Sequence, residues 1–336
     1  MDPETVGDVD QVPHGSSDDP CLLDFSANIN PIVPEGTERV YREAFEASRT
    51  YPPEPPARFR AAAGEYIGVS PDTIVPTPGG LAAIRLVVGL TVTPGDSALL
   101  PAPSFGEYER EVRLQGGDPV FVDEAAILSA DPTDHALAIV CNPNNPTGRA
   151  YDHDALQAFA GRCREADTTL LVDEAFLGFT ERTTLAGTDG VVVARSLTKL
   201  FGLPGLRAGF AVTPTPDWNG LPAARRPWNV GRPALSVGTY CLRRSGYVTE
   251  TRERVRSERR RLREKLTGQY DVSPSEAPFL LLDVGDRDVE TVLQTAENAG
   301  VALRDATTFR GLDSHVRIAV RLPEENDELL EVLTGA

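Results

Sequence analysis

Lys199 is one of two lysines among 336 residues, and it follows an apolar run, Val191-Val192-Val193-Ala194, that leads into Ser196-Leu197-Thr198-Lys199. An ammonium normally stays in water. A lysine delivered at the end of a buried strand is placed where its pKa falls and its neutral amine can attack a carbonyl. Gly202, Pro204 and Gly205 then force a tight loop that brings up Arg207. Two further apolar runs end in reactive residues: Ala136 to Cys141 leads into CNPNNPTG with Asn145, and Leu170 to Val172 leads into Asp173-Glu174-Ala175-Phe176. Taken singly, these are a surface lysine, a proline-rich turn and a helix N-cap. Together they put an amine, a carboxylate and an amide at three successive strand ends, within reach of one cleft. Gly79-Gly80-Leu81-Ala82 opens a helical pattern, where free backbone N–H groups favour an anion and the glycines let it approach closely.

The elements that position these groups alternate. Helical spacing over Phe59 to Ile67, Leu81 to Leu90, Glu107 to Gln115 and Asp152 to Ala166 is interleaved with short apolar strands at 73–75, 97–100, 120–122, 136–141, 170–173, 191–194 and 209–213. Such alternation predicts a large, mixed, mostly parallel sheet of the seven-stranded type with helices on both faces and functional loops at strand ends. After Trp228 the character changes. Pro233 to about Leu266 reads as one long helix broken near Gly246, and strands at 279–284 and 316–320 alternate with two helices, predicting a smaller α+β domain. Residues 1–20 are polar and aperiodic and read as a flexible arm. The division expected is an arm at 1–20, a large domain at 48–225, and a small domain formed by 21–47 with 226–336. The four prolines of TYPPEPPARF fix an extended loop that carries Tyr51.

Composition narrows the partners. Fifty acidic against 33 basic residues give a net charge of −17, a field that repels nucleic acid and anionic membranes. The interleaved glutamates around Arg259 to Arg263 read as a solvated helix face. No apolar run approaches the ~18 residues of a membrane helix, and the cytoplasm is the default location. Cys21, Cys141, Cys163 and Cys241 lack ligand spacing, which argues against a metal site. The scarcity of lysine beside abundant acids is similar to proteins of salt-loving organisms.

The reactive set matches the demands of pyridoxal 5'-phosphate, which needs an amine for its aldehyde, a carboxylate for its ring nitrogen, a donor for its phenolate and a cradle for its phosphate. Lys199 supplies the amine, Asp173 the carboxylate and Asn145 the donor. Gly79, Gly80, Leu81 and Ala82, with Ser196 and Arg207, form the cradle. Phe105, in PAPSFGEY, stacks on the ring.

With YP at Tyr51, NNPTG, DEAF and SLTK followed by GLRAG in this order, the chain resembles fold-type I pyridoxal-phosphate enzymes of the class I and II aminotransferase superfamily, from about Leu23 to the C-terminus. The resemblance implies a homodimer in which Tyr51 reaches the cofactor phosphate of the neighbouring subunit. Within the superfamily the chain looks most like the threonine-phosphate decarboxylases of cobalamin synthesis, close to the histidinol-phosphate aminotransferases. It carries His14-Gly15, LDFSANINP at 23–31, DEAF where the aminotransferases have DEAY, PWNV at 227–230, FRGLD and RIAVR. HGS replaces the usual HGG, and PGGLAA stands where relatives carry GNG and an acidic residue. By this likeness Arg317 binds a substrate α-carboxylate and Arg304 a substrate phosphate, with His14, Arg310 and Arg321 as further candidates. Ala27 and Asn28 line the same pocket, and Phe176 stands where a tyrosine donates to the phenolate in the transaminating relatives. The implied reaction is decarboxylation of O-phospho-L-threonine to (R)-1-amino-2-propanol phosphate. The alternatives are transamination of histidinol phosphate or another amino acid, and a non-catalytic pyridoxal-binding regulator.

Overall fold

The computed structural model describes residues 1–335. Its centre is a seven-stranded sheet in the spatial order Ile74–Thr77, Gly209–Val212, Val191–Ser196, Thr169–Asp173, Leu137–Cys141, Ser97–Ala102, Asp118–Asp123. Gly209–Val212 runs antiparallel to both its neighbours, and the other pairings are parallel. The expected mixed, mostly parallel sheet is therefore present, and its near-continuous Val/Ile/Leu strands reflect burial on both faces. Side chains alternate between two cores. Leu170, Val172, Val191 and Val193 face one, while Leu171, Val192, Ala194 and Cys141 face the other.

Register then decides what shares an edge. Cys141 pairs with Asp173, and Asp173 pairs with Ala194. The loops bearing Asn145, Asp173 and Lys199 consequently leave the sheet side by side at its carboxyl end.

A second, antiparallel sheet has the order Arg304–Asp305, His315–Ala319, Phe279–Asp283, Asp271–Val272. The long helix expected to break near Gly246 is two helices, Arg232–Leu242 and Ser245–Leu266. The break falls at Arg243-Arg244, and Gly246 sits inside the first turn of the second helix rather than at the break. The two-residue strand Leu23–Asp24 pairs in parallel with Val301–Ala302, joining the N-terminal segment to the later chain.

The N-terminal residues, read from sequence as a flexible arm, lie against the large sheet's helices. The Asp2 N–H donates to the Leu114 carbonyl at 2.8 Å, Arg110 donates to the Asp10 carbonyl, and Val12 packs on Gly106 so closely that a Cβ there would meet it at 2.9 Å. A polar, aperiodic sequence carries no signal for contacts this distant along the chain. The four cysteines are unpaired, Cys21 exposed and the others buried. No helix among the described residues is long and apolar enough to cross a membrane.

Candidate active site

A cavity of about 370 Å³ opens where the large sheet's carboxyl edge meets the second sheet and the N-terminal segment. That volume suits a cofactor-sized ligand. Lys199, Asp173, Asn145, Ser196, Arg207, Gly80, Leu81, Phe105 and Phe176 all line it, as do His14, Ala27, Asn28, Arg304 and Arg317. Gly79, Ala82 and Tyr51 do not.

Asp173 falls on the same sheet face as Leu171, and that face packs against the helix Glu107–Leu114, where Tyr108 is fully buried. The Tyr108 hydroxyl donates to Asp173 Oδ2 at 2.7 Å, and the Ala175 N–H donates to Oδ1 at 3.0 Å. Burial pushes the Asp173 carboxyl up, while the two donors and the more distant Arg195 pull it back. Burial, reinforced by the Asp173 charge, holds Tyr108 far above its ordinary value, so it remains a donor. The next residue, Glu174, takes the other direction into a buried ion pair with Arg195 at 2.9 Å.

Lys199 has no carboxylate within 4.0 Å among the described residues. Burial, then the cations of Arg317 and Arg207, lower its amine to about 8, with Asp24 opposing. Near neutral pH a useful fraction is therefore the neutral nucleophile. Its backbone carbonyl is held by the Asn30 N–H at 3.0 Å.

At the loop expected to cradle a phosphate, Gly79, at φ 90° and ψ 168°, turns into the helix Gly80–Thr91. Only glycine occupies that backbone region comfortably, and a Cβ at Gly79 would meet the Arg207 guanidinium at 2.7 Å. Gly79 thus stands behind the wall and admits Arg207 to it. Ala82 does not line the cavity, and Ile84 of the same helix does. Arg207 itself has φ 52°, a left-handed conformation uncommon for a non-glycine residue. The Ser196 and Thr198 hydroxyls are 2.7 Å apart at the same end.

Across the cavity, Arg304 and Arg317 are direct partners on adjacent antiparallel strands. Like charges placed opposite each other are unfavourable unless an anion joins them. Arg317 is fully buried, and burial together with the facing Arg304 cation pulls it down to about 9. Its Nη1 donates to Asn145 Oδ1 and its Nη2 to the Ser26 carbonyl, while Nε has no partner. With Oδ1 so engaged, the Asn145 amide nitrogen is turned toward other acceptors. Arg304 donates to the Pro13 carbonyl at 2.7 Å and to Thr308 Oγ1 at 2.8 Å. Asn28 Oδ1 is also buried without a partner. His14 bonds Glu107 Oε1 at 3.1 Å and lies 5.7 Å from the Phe105 ring.

Comparison with known proteins places this geometry. The family model for aminotransferase class I and II matches residues 22–333. The chain belongs to that family. A histidinol-phosphate aminotransferase of Archaeoglobus fulgidus is 29% identical over 93% of this chain and 98% of its own length. A protein provisionally named threonine-phosphate decarboxylase, from Caldanaerobacter subterraneus subsp. tengcongensis, is 32% identical over 92% of this chain and 89% of its own. The solved histidinol-phosphate aminotransferase of Clostridium acetobutylicum superposes with a TM-score of 0.85 at 27% identity, covering 94% of this chain and 98% of that one.

The family uses pyridoxal phosphate in a fold-type I scaffold. The residues present fit the cofactor: a buried carboxylate without a cation of its own in contact, an amine with a lowered pKa, and a glycine-opened helix start beside Arg207. Two residues expected from the family likeness stand elsewhere. Arg310 pairs with Glu109 at 3.0 Å and lies over Phe121. Arg321 pairs with Glu325 at 2.7 Å. Both guanidinium groups are engaged by nearby carboxylates, and neither lines the cavity. Tyr51 is exposed and lies against Trp228, with ring centroids 4.6 Å apart and planes tilted by 30°. Sequence reasoning missed Tyr108, three residues after Phe105 in SFGEY; the spacing was visible, but its significance depends on the packing of that helix onto Asp173.

Proposed function

We propose that this chain decarboxylates O-phospho-L-threonine to (R)-1-amino-2-propanol phosphate. The observation that carries the reading is the opposed pair Arg304 and Arg317 on one wall of the cavity. Two cations suit a small substrate bearing both a carboxylate and a phosphate. Histidinol phosphate carries a phosphate and no carboxylate. Arg317 receives the substrate carboxylate by paired N–H donors, its free Nε among them. Arg304 takes the phosphate, exchanging its bond to the Pro13 carbonyl, and His14 borders the same space.

Bound against Asp173 and Lys199, pyridoxal phosphate would supply an aldehyde for the substrate amine and a sink for the electron pair released at the α-carbon. Asp173, kept in place by Tyr108 and the Ala175 N–H, would hold the ring nitrogen. Arg317 would hold the substrate carboxylate, the group that leaves as carbon dioxide, and the electron pair left at the α-carbon would be taken up by the cofactor until that carbon is protonated. The Lys199 ammonium then gives that carbon a proton. Phe176 packs edge-on against Phe279 at 5.1 Å and offers no hydrogen-bond donor, unlike the tyrosine of the transaminating relatives.

A second reading, transamination of histidinol phosphate, is supported by the names of several relatives. The same wall would then serve an α-keto acid acceptor. A homodimer is part of the proposal, with the exposed Tyr51 and Trp228 at the boundary and Tyr51 reaching the neighbouring cofactor phosphate. The deciding assay supplies carboxyl-labelled phosphothreonine and measures carbon dioxide, beside histidinol phosphate with 2-oxoglutarate. Gas evolution with a phosphorylated amino alcohol as product is expected; amino transfer without gas overturns decarboxylation.

A further inference from the structure

Arg256, Arg259, Arg260 and Arg263 line one groove of about 810 Å³ along the helix Ser245–Leu266, opposite Pro274, Ser275 and Leu280. It shares no lining residue with the active-site cavity. The spacings are three and four, so each arginine has at least one like-charged neighbour on the same helix surface. Such neighbours repel.

Elsewhere on this helix Arg261 is neutralised by Glu258 and Asp327. In the groove such pairing is nearly absent. Arg260 and Arg263 have no carboxylate within 4.0 Å among the described residues, and Arg256 has one exposed partner, Glu181, at 3.5 Å. Arg259 donates to the Glu276 and Ala277 carbonyls at 3.1 Å, which fixes its guanidinium to the floor without neutralising it. Glu264 is the one acid on the lining. In a chain with 17 more acidic than basic groups, a groove of four cations facing one acid is a local reversal of the field.

We propose that this groove binds a linear polyphosphate anion, inorganic triphosphate or the triphosphate of a small metabolite. Arginine forks match phosphate oxygens in pairs. From Arg256 to Arg263 the helix rises about 10 Å, a length that a chain of linked phosphates can follow and a single phosphate cannot.

The test titrates holoenzyme with sodium triphosphate at fixed ionic strength, by calorimetry, beside pyrophosphate and orthophosphate. One saturable triphosphate site is expected, weakening as the phosphate chain shortens. The double variant Arg260→Gln with Arg263→Gln should lose affinity at least tenfold. A charge-matched control, Arg39→Gln with Arg42→Gln on the exposed helix Thr37–Ala47, should keep it. Unchanged binding in the groove variant, an equal loss in the control, or no saturable site would overturn the proposal. If the double variant fails to fold, each single substitution carries the same requirement.

Discussion

The two halves of the active-site cavity are built by different means. Lys199, Asp173, Asn145 and Ser196 stand at the ends of neighbouring strands of one sheet, and register alone aligns them. His14, Asn28, Arg304 and Arg317 come from the N-terminal segment and the second sheet, with Arg304 held by the Pro13 carbonyl and Thr308 Oγ1 and Arg317 by the Ser26 carbonyl and Asn145 Oδ1. The first half is a preorganised frame. The second keeps its cations on neutral acceptors that an anion can displace, so it can trade those bonds for substrate at little cost. Substitutions in the first half should therefore damage chemistry and cofactor retention, and those in the second should mainly damage substrate affinity.

The largest effect tests the frame. Lys199→Ala removes the amine and the proton donor together, and turnover should fall by about 10³-fold or more, with loss of the bound cofactor's visible absorbance. Near-normal turnover would show that the frame is assigned to the wrong lysine. Asp173→Asn follows, at about 10²- to 10³-fold in kcat, with the fold intact by circular dichroism.

Arg304→Gln probes the other half. Loss of a charged hydrogen bond, about 1.5–3 kcal/mol, should raise KM for the phosphorylated substrate by about 10- to 100-fold while kcat changes less. Equal damage to kcat and kcat/KM would break the comparison, because it would make Arg304 part of the frame.

The frame was the legible half. Strand ends, NNPTG, DEAF and SLTK carry their chemistry in local order, and the alternation of strands with helices announces the sheet that aligns them. The other half depends on contacts across the chain: Arg304 bonds Pro13, 291 residues away, and no local pattern reports that. For the same reason Arg310 turns to Glu109, 201 residues away, whereas Arg321 is taken by Glu325 only four residues on. The helix break at Arg243-Arg244 escaped precise placement because Gly246 is the stronger local signal, although a glycine in a first turn costs little.

Tyr108→Phe sharpens the boundary from within the frame. It deletes one hydrogen bond to a buried carboxylate and leaves the ring packing, so Asp173 should become easier to protonate. Cofactor dissociation should rise by about tenfold, and the fall in cofactor affinity on acidification should begin at higher pH than in the parent. A change in KM for substrate alone would instead place Tyr108 in the second half.

The smallest effect reads the frame without its cofactor. In the apo protein Lys199 titrates near 8, below the 10.5 of an unburied lysine. Between those values the unfolded chain holds the proton and the folded chain has released it, so this group makes stability rise with pH. Below about 8 both states are protonated and the cost of the buried charge is present in full. From pH 8 to 9 the gain is about 1 kcal/mol. Buried tyrosines and cysteines oppose it, since their thiols and phenols ionise first in the unfolded chain, so the measurement is a difference. Urea unfolding of apo parent and apo Lys199→Met across pH 8 to 9 should show the methionine variant's advantage shrinking by that amount. A constant difference would mean that the amine is ordinary and that the frame does not prepare it.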